Sequence, residues 1–384
     1  MMKTLIELYD ERPIENVLGT ETFRPEETVY ICPPEVYEDR ELREALEKYF
    51  QLRGCRVKLS FVPVSLLDAV KVESTLKKVI ASREDCAVDI SGGTDAALFA
   101  AGAVSDNIPV FTYSRKRNTF YEIRNAPFAR SLPCTVRLNA EACFLMAGGK
   151  LLPGREDNSV LKDKIPQMDR LFRIYAEHRR IWNRQIAWFQ RVSSAEPGEL
   201  DVRGPRTVKA DHGNVTVNEE LLRALAEEEL IEEPDLTGEE ISFRFPDETV
   251  RFWLRDIGSV LELRVYRACL EAGVFDDVIL SAVVNWHGGT NKTDAVTNEI
   301  DVMAVRGIQP VFISCKTGEI KTEALNELAI LRDRFGGKGS RAVIVTSSGA
   351  TRSRTVMRRR AAELEIEVIE WRDLELKRLI QRLK

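Results

Sequence analysis

At 384 residues, with 44% hydrophobic and 30% charged side chains and a net charge of −5, the chain is globular and too long for one ordinary core; at ~100–200 residues per domain, two or three units are expected. No run approaches the ~18 apolar residues of a membrane helix, and the opening MMKTLIELYDERP lacks the apolar centre of a secretory signal, so a cytoplasmic protein with no membrane partner is expected. The cysteines at 32, 55, 86, 134, 143, 269 and 315 form no CxxC pair and read as buried reduced thiols, and His178, His212 and His287 are too scattered to make a ligand set.

From residue 1 to 150, β-rich runs alternate with helical ones. TLIELYD, ETVYICP, RVKLSFVPV, CAVDIS and IPVFTYS read as strands, with helices over 39–53, 64–82 and 94–105. That alternation predicts a parallel sheet covered on both faces, a Rossmann-like α/β domain. Residues 151–248 turn helical, pass through a loop at SSAEPGELDVRGPRTVK, and continue as a short helix followed by a β-hairpin, the order of a winged-helix-like unit. There Trp182, Trp188 and Phe189 interleave with Arg179, Arg180 and Arg184, a pattern that suits nucleic-acid contact or plain core packing. Residues 249–384 predict a helix over 252–273, strands over 277–286, 297–305 and 310–316, a helix over 321–335, a strand over 341–346, a helix over 352–364, and a last strand and helix. This third part holds 22 Lys and Arg against 18 Asp and Glu, leaving the remainder at −9, so it is the part suited to a polyanion. Its densest basic patch, TRSRTVMRRR with Arg352, Arg354, Arg358, Arg359 and Arg360, is either a phosphate-facing or a merely solvated helix face.

The stretch NEIDVMAVRGIQPVFISCKTG places charged groups inside two strands that otherwise want burial. Alternation puts Glu299 and Asp301 on one face with Ile300 and Val302 on the other, and Ser314 and Lys316 opposite Val311, Ile313 and Cys315. If RGIQ is the turn of a hairpin, Asp301 lies across from residue 314 or 315, and Asp301, Glu299 and Lys316 come together. Converging carboxylates suit a hard divalent cation such as Mg²⁺ or Mn²⁺, and a neighbouring lysine neutralises charge as a phosphodiester is cleaved. Glu262, set in the apolar GSVLELRVY, is the candidate third acid. A structural ion pair between Lys316 and Asp301 or Glu299 is the competing reading.

The order helix-borne Glu262, Asp301, Lys316 at the end of the next strand, then a helix with Glu327, resembles the PD-(D/E)XK restriction-endonuclease-like α/β/α core. The acid that usually precedes the lysine by two is Ser314 here, so the motif reads D-x12-S-C-K and a second metal ion is not implied. The resemblance implies one Mn²⁺ or Mg²⁺ held by Asp301, Glu262 and the main-chain carbonyl of Cys315, with Glu299 as a supplement.

In the first part, VDISGGTDAALFAAG is strand, Gly-Gly turn and helix, lacking both the dinucleotide GxGxxG spacing and the Walker lysine. Alone it is either an anion-facing turn or a tight turn with Ser91 or Thr94 capping the helix. Together with the opening LIELYDERPIENVLGTETFRPEETVYIC it is similar to CARF domains, the CRISPR-associated Rossmann-like sensors of cyclic oligoadenylates. The whole is similar to the CARF plus PD-(D/E)XK effector nucleases of type III CRISPR systems: a sensor over 1–150, a helical and winged-helix-like region over 151–248, and a nuclease over 249–384. The resemblance implies cyclic tetra-adenylate bound across the axis of a homodimer by Ser91, Gly92, Gly93 and Thr94, with Asp10, Tyr113, Ser114 and Arg115 beside them, and cleavage of DNA or also RNA. Many CARF domains carry a lysine where this sequence has Asp95, so a basic contact must come from elsewhere. The alternatives are a ligand-responsive DNA-binding regulator without catalysis, a ring nuclease that degrades the messenger, and a constitutive restriction-type nuclease.

Overall fold

The apolar run TLIEL forms β1 (Thr4–Leu8), buried along its whole length as a central parallel strand must be. The structure, a computed structural model, describes residues 2–153, 158–194, 196–211, 213–286, 296–337, 339–348 and 353–384. Strands β2 (Glu27–Cys32), β3 (Lys58–Pro63), β4 (Cys86–Asp89) and β5 (Val110–Ser114) join β1 in the parallel order 3-2-1-4-5, and β6 (Thr119–Arg124) and β7 (Leu132–Pro133) add an antiparallel edge. Helices α1 (Arg40–Leu52), α2 (Ala69–Ala81) and α3 (Asp95–Ala103) belong to the same domain. The strand order reverses between β1 and β4, the crevice where open α/β sheets bind ligands. The Rossmann-like expectation holds strand for strand.

After α4 (Ala140–Met146), residues 150–152 form β8 (Lys150–Leu152), which pairs with a strand of the C-terminal sheet, so the expected boundary at 150 falls inside a shared structure. The middle region contains α5 (Ile165–His178), α6 (Trp182–Val192), β9 (Asp201–Pro205), the hairpin β10 (Thr207–Ala210) and β11 (Gly213–Thr216), then α7 (Glu219–Glu227) and the hairpin β12 (Glu232–Asp235) and β13 (Glu240–Arg244). Helix followed by hairpin is the winged-helix-like order, and β9 completes a three-stranded sheet against β13. Trp182, Trp188 and Phe189 are fully buried, so core packing accounts for them. His178 ends α5, whereas His212, His287 and Arg352 lie outside the described residues, as does the side chain of Arg354.

The last part runs α8 (Glu248–Arg255), α9 (Ser259–Ala272), β14 (Asp277–Asn285), β15 (Thr297–Arg306), β16 (Gln309–Lys316), α10 (Thr322–Phe335), β17 (Arg341–Thr346), α11 (Ser353–Glu363), β18 (Ile366–Glu370) and α12 (Leu376–Leu383). The strands form one six-stranded sheet in the order β18-β17-β16-β15-β14-β8. The single helix expected over 252–273 is two, broken at Asp256–Gly258, where the Asp256 carboxylate accepts the Ser259 N–H at 2.8 Å and its hydroxyl at 2.9 Å and so starts a new helix. All seven cysteines are free, and among the described residues no helix is long and apolar enough to cross a membrane.

Both faces of this C-terminal sheet are buried. Val302, Ala304, Val311, Ile313 and Val343 pack into a core shared with α9 and with Trp182, Trp188 and Phe243 of the middle region. Met303, Val305, Phe312 and Ile344 pack on the other side into a core shared with Leu5, Tyr49, Phe111 and Phe144. The Rossmann domain is thus joined to the C-terminal sheet directly through apolar contact.

One polar pair interrupts the Rossmann core. Glu7 and Asp89 are register neighbours on β1 and β4, and Glu7 Oε2 and Asp89 Oδ2 are buried without a protein donor. The other oxygens are satisfied: Glu7 Oε1 accepts from the Thr20 hydroxyl at 2.8 Å, and Asp89 Oδ1 from the Ser91 N–H at 2.8 Å. Burial, then the charge of Asp89, pushes the Glu7 carboxyl well up, and burial pushes Asp89 up to about 7. A proton held between the two satisfies both. Carboxyls raised in the folded state stabilise it below their unfolded values and lose that contribution as pH rises through the folded ones. The melting temperature therefore falls between about pH 5 and pH 8, by an equivalent of about 1–3 kcal/mol. Asp89→Asn, whose amide supplies the missing donor, flattens that slope; a slope equal in both proteins would contradict the shared proton.

Candidate active site and ligand cavity

Strands β15 and β16 form a hairpin whose register runs from Arg306 opposite Gln309 to Val302 opposite Ile313, closed by Gly307 and Ile308 with Gly307 at φ +60°. Only glycine adopts that conformation without strain. Pairing stops one step before Asp301, and its side chain takes over. Asp301 Oδ2 accepts the Cys315 N–H at 2.5 Å, the Ser314 hydroxyl at 3.1 Å and the Lys316 ammonium at 3.5 Å. The Asp301 side chain is 16% exposed and that of Lys316 39%, so the pair sits at the mouth of the sheet with one partner reaching solvent.

Strict alternation fails at this point. Ile300 packs in the core shared with the Rossmann domain and Val302 in the opposite one, although both were expected on one face. Across the ladder, Leu280 and Ala282 divide in the same way around Ser281, whose φ is +51°. The two strands change sides together at Ser281 and Asp301, and the expected shared face of Glu299 and Asp301 is not what brings them near each other. The β16 expectation holds: Val311, Ile313 and Cys315 share one core.

Glu262 stands in the first turn of α9, half-buried, over the helix break. A Cβ on Gly258 would collide with its Oε1 and approach Asp256, so the glycine makes room for the carboxylate. Burial, then the charges of Asp301, Asp256 and Glu299, push the Glu262 carboxyl up to about 9, and Lys316 opposes them. Glu262, Asp301, Glu299 and Lys316 therefore share one electrostatic site, joined by Asp256, which the sequence reading missed because it runs one helix through 252–273. Glu327 is placed differently: it accepts from Asn298 Nδ2 at 2.6 Å, whose Oδ1 accepts from Trp286 Nε1 at 2.6 Å, fixing β15 three residues before Asp301.

The site's donors fit a hard cation. Carboxylates that hinder each other's ionisation are the arrangement a divalent ion reverses, and Asp301, Glu262 and the Cys315 carbonyl offer oxygen only. Among the described residues no cluster of three or more Asp, Glu, His or Cys side chains is close enough to hold a metal unaided. Two carboxylates, one carbonyl and retained water match magnesium-type coordination, where protein ligands are few.

At the switch point of the Rossmann sheet, the glycines serve the protein's own packing. A Cβ on Gly92 would stand 2.8 Å from Asp10 Cβ and 2.9 Å from the Leu8 carbonyl, and Gly93 has φ +96°. Asp10 accepts two bonds from the Arg12 guanidinium, each 2.7 Å, and the Gly93 N–H at 2.9 Å. The Ser91 hydroxyl takes the Tyr113 N–H at 2.8 Å, and Thr94 caps α3 through the Ala97 N–H at 3.3 Å while donating to the Leu66 carbonyl. Asp95 is the first residue of that helix. The loop is thus built rigid. Beside it, past Ser114 at the end of β5, opens a cavity of about 380 Å³ lined by Tyr113, Arg115, Lys116, Asn118 and Arg137 from the N-terminal part and by Arg306–Gln309 from the hairpin turn. No carboxylate lines it; of its four cationic side chains, Arg115 is anchored on Glu15 at 2.9 Å and Arg137 on Asp276 at 2.7 Å. Sequence reading found Tyr113 and Arg115 but not Lys116, Arg137 or Arg306, which only the fold brings together. In the basic patch, Arg358 binds Glu370 at 2.9 Å and Arg359 is exposed.

Residues 247–384 match the family described as Card1-like, endonuclease domain. Among curated proteins none matches the chain. Among solved structures, the crystal structure of protein VC1899 from Vibrio cholerae aligns over 100% of this chain and 97% of its own, with a TM-score of 0.73 and 18% identity. Can2 from Sulfobacillus thermosulfidooxidans, solved in complex with cyclic tetra-adenylate, aligns over 100% and 99%, with a TM-score of 0.72 and 14% identity. A type III CRISPR defence DNA nuclease activated by cyclic oligoadenylate aligns over 91% of this chain and 46% of its own, with a TM-score of 0.50 and 14% identity. The chain shares one fold with these proteins along its length, and its C-terminal third carries the endonuclease-domain match.

The field at Glu262 sets an expectation that needs no turnover. Near pH 8, below the value of about 9 for its carboxyl, folding must protonate Glu262, whereas Gln needs no proton, so Glu262→Gln raises the melting temperature of the metal-free protein. Millimolar Mn²⁺ raises that of the unsubstituted protein and has little effect on the variant. Equal Mn²⁺ shifts in both proteins would remove Glu262 from the cation site.

Proposed function

We propose that the chain is a metal-dependent endonuclease of type III CRISPR defence, activated by cyclic oligoadenylate. The observation that carries this reading is the convergence of Asp301, Lys316 and Glu262 at the open end of a sheet whose faces are otherwise apolar, within residues that match an endonuclease domain. Residues 1–150 act as sensor, 249–384 as nuclease, and 151–248 as the support that covers one face of the nuclease sheet. The neighbour solved with cyclic tetra-adenylate supports that ring as activator.

Asp301, Glu262 and the Cys315 carbonyl would hold Mn²⁺ or Mg²⁺, with Glu299 adding field or a further oxygen, and the ion would polarise the scissile phosphate and activate the attacking water. Lys316 offsets the charge that builds on the phosphorus oxygens in the transition state. Ser314, in the place of a second acid, donates its hydroxyl to Asp301 and holds the carboxylate without adding charge. The substrate is DNA, with RNA as the second candidate.

On the sensor side, Ser91, Gly92, Gly93, Thr94 and Asp10 form the rigid floor of the messenger site, and Tyr113, Ser114 and Arg115 lead into the basic cavity. A homodimer is supported by exposed apolar side chains beside that floor: Leu67, Val70 and Phe99 are 81%, 77% and 75% exposed. Activation runs through the hairpin, whose turn lines the basic cavity and whose far end holds Asp301 and Lys316. The messenger's phosphates are drawn to Arg306 together with Arg115 and so prefer one hairpin position.

A supercoiled-plasmid assay with Mn²⁺, with and without cyclic tetra-adenylate, tests the reading. Nicking that needs both ions and messenger, and that falls about 10²-fold or more in Lys316→Ala, is expected. Messenger binding with no cut in plasmid or in labelled single-stranded RNA would favour a DNA-binding regulator instead.

A further inference from the structure

We infer that a second cavity, between the middle region and the end of β18, is a nucleobase-binding subsite for the strand being cut. This rests on the nuclease reading and extends it to residues outside the catalytic cluster. The cavity measures about 600 Å³, within the ~300–1,000 Å³ range of small-ligand sites. Phe172 and Arg173 of α5, Arg264 of α9, and Trp371 and Arg372 after β18 line it.

Its chemistry is that of a stacking platform with a phosphate rim. Trp371 is half-buried, with the Arg179 guanidinium 4.1 Å from its ring centroid and Phe172 and Tyr175 at 6.2 and 6.0 Å. Arg264 is nine-tenths buried at 10% side-chain exposure, yet it lies 4.2 Å over the Phe172 ring with its Nε on the Leu374 carbonyl at 3.0 Å. The two lining acids are engaged: Asp169 stands 3.5 Å from both Arg264 and Arg267, and Glu375 caps α12 through the Lys377 and Arg378 N–H groups. At the rim, Arg173 and Arg372 are 64% and 73% exposed; Arg173 pairs with Glu228 at 3.1 Å, and Arg372 stands 4.0 Å from Glu370 and 3.8 Å from Asp373. Exposed pairs of this kind are weak, and a phosphate competes for them.

Position links the cavity to the cut. Lys316, Thr346 and Glu370 are register neighbours on the adjacent parallel strands β16, β17 and β18. Two strand spacings put Glu370, and Trp371 after it, ~10 Å from Lys316 along the sheet end. At the ~3.4 Å axial rise of a strand in a duplex, a lower bound for a splayed strand, that is at most about three nucleotides. The segment between them is buried and fixed, with the Ser347 N–H on the Lys316 carbonyl at 3.2 Å and the Ser347 hydroxyl on that of Thr317 at 3.1 Å, so the spacing of Lys316 and Trp371 is set by the sheet. A strand with its phosphodiester at Asp301 and Lys316 thus places a base a few positions away at Trp371.

The test uses the full chain carrying Lys316→Ala, with Mn²⁺ and cyclic tetra-adenylate, and a short labelled DNA strand with an abasic site moved one position at a time. Adding Trp371→Ala should weaken binding roughly 5- to 150-fold, the effect of losing one base–aromatic stack, while Trp371→Phe keeps most of it. One abasic position should weaken binding to the Trp371 protein and have no further effect on Trp371→Ala. Where Trp371→Ala loses the native circular dichroism, the exposed Arg372→Ala takes its place and should weaken binding severalfold. Unchanged affinity in the folded variants, or a flat abasic scan, beside Lys316-dependent cutting by the unsubstituted chain would overturn the subsite and leave the nuclease standing. If the unsubstituted chain neither binds nor cuts the strand, the nuclease reading and the subsite fail together.

Discussion

The sheet that carries Asp301 and Lys316 has no free face. One side is sealed by the middle region and α9, the other by α10, α11 and the Rossmann domain, so a charged side chain on its inner strands finds an outlet only where a strand ends or parts from its neighbour. This explains why a carboxylate and a lysine occur in strands otherwise built of Val, Ile, Phe and Met. Asp301 is tolerated because pairing ends at Val302, freeing the Cys315 N–H, and the carboxylate satisfies that donor. The interaction that completes the β15–β16 pairing also fixes the acid against Lys316.

The same burial makes the hairpin a rigid connection between the basic cavity and Asp301. Its flanks are packed on both sides, its turn is held by the Asp276 carboxylate on the Gly307 N–H at 2.6 Å and by the Leu138 N–H on the Gly307 carbonyl at 2.8 Å, and its far end holds Asp301 and Lys316. Close-packed interiors transmit strain, so a displacement of Arg306 at the turn is felt along the strand that carries Asp301. The glycine loop, by contrast, is already fixed by Asp10 and Leu8, which makes it a rigid floor beside the basic cavity.

Most strands and helices were legible because each has a strong period and clear boundaries; TLIEL and ETVYIC have few alternatives to buried strands. The cluster was legible as well, since a hairpin around Gly307 brings residue 301 beside 314 and 315 whatever the rest does. Three features needed the fold. The break at Asp256–Gly258 is invisible to apolar spacing, which runs on from Phe252 to Val260, and it is what sets Glu262 in a first turn beside Asp256. The change of side at Ser281 and Asp301 depends on a positive φ at a serine, for which local sequence gives no sign. The aromatic residues of the middle region have helical spacing in any reading, and only burial separates the core residues Trp182, Trp188 and Phe189 from the half-buried Trp371, which follows the last strand.

The central claim is that the carboxylates of Asp301, where β15 parts from β16, and of Glu262 at the start of α9 form a cation site. Anomalous diffraction from crystals of the full chain grown with Mn²⁺ and cyclic tetra-adenylate tests it most directly. The account predicts a manganese peak bounded by Asp301, Glu262 and the Cys315 carbonyl and within reach of Lys316. A peak elsewhere, with Lys316 still paired to Asp301 as in the metal-free chain, would contradict it and return the pair to a structural salt bridge.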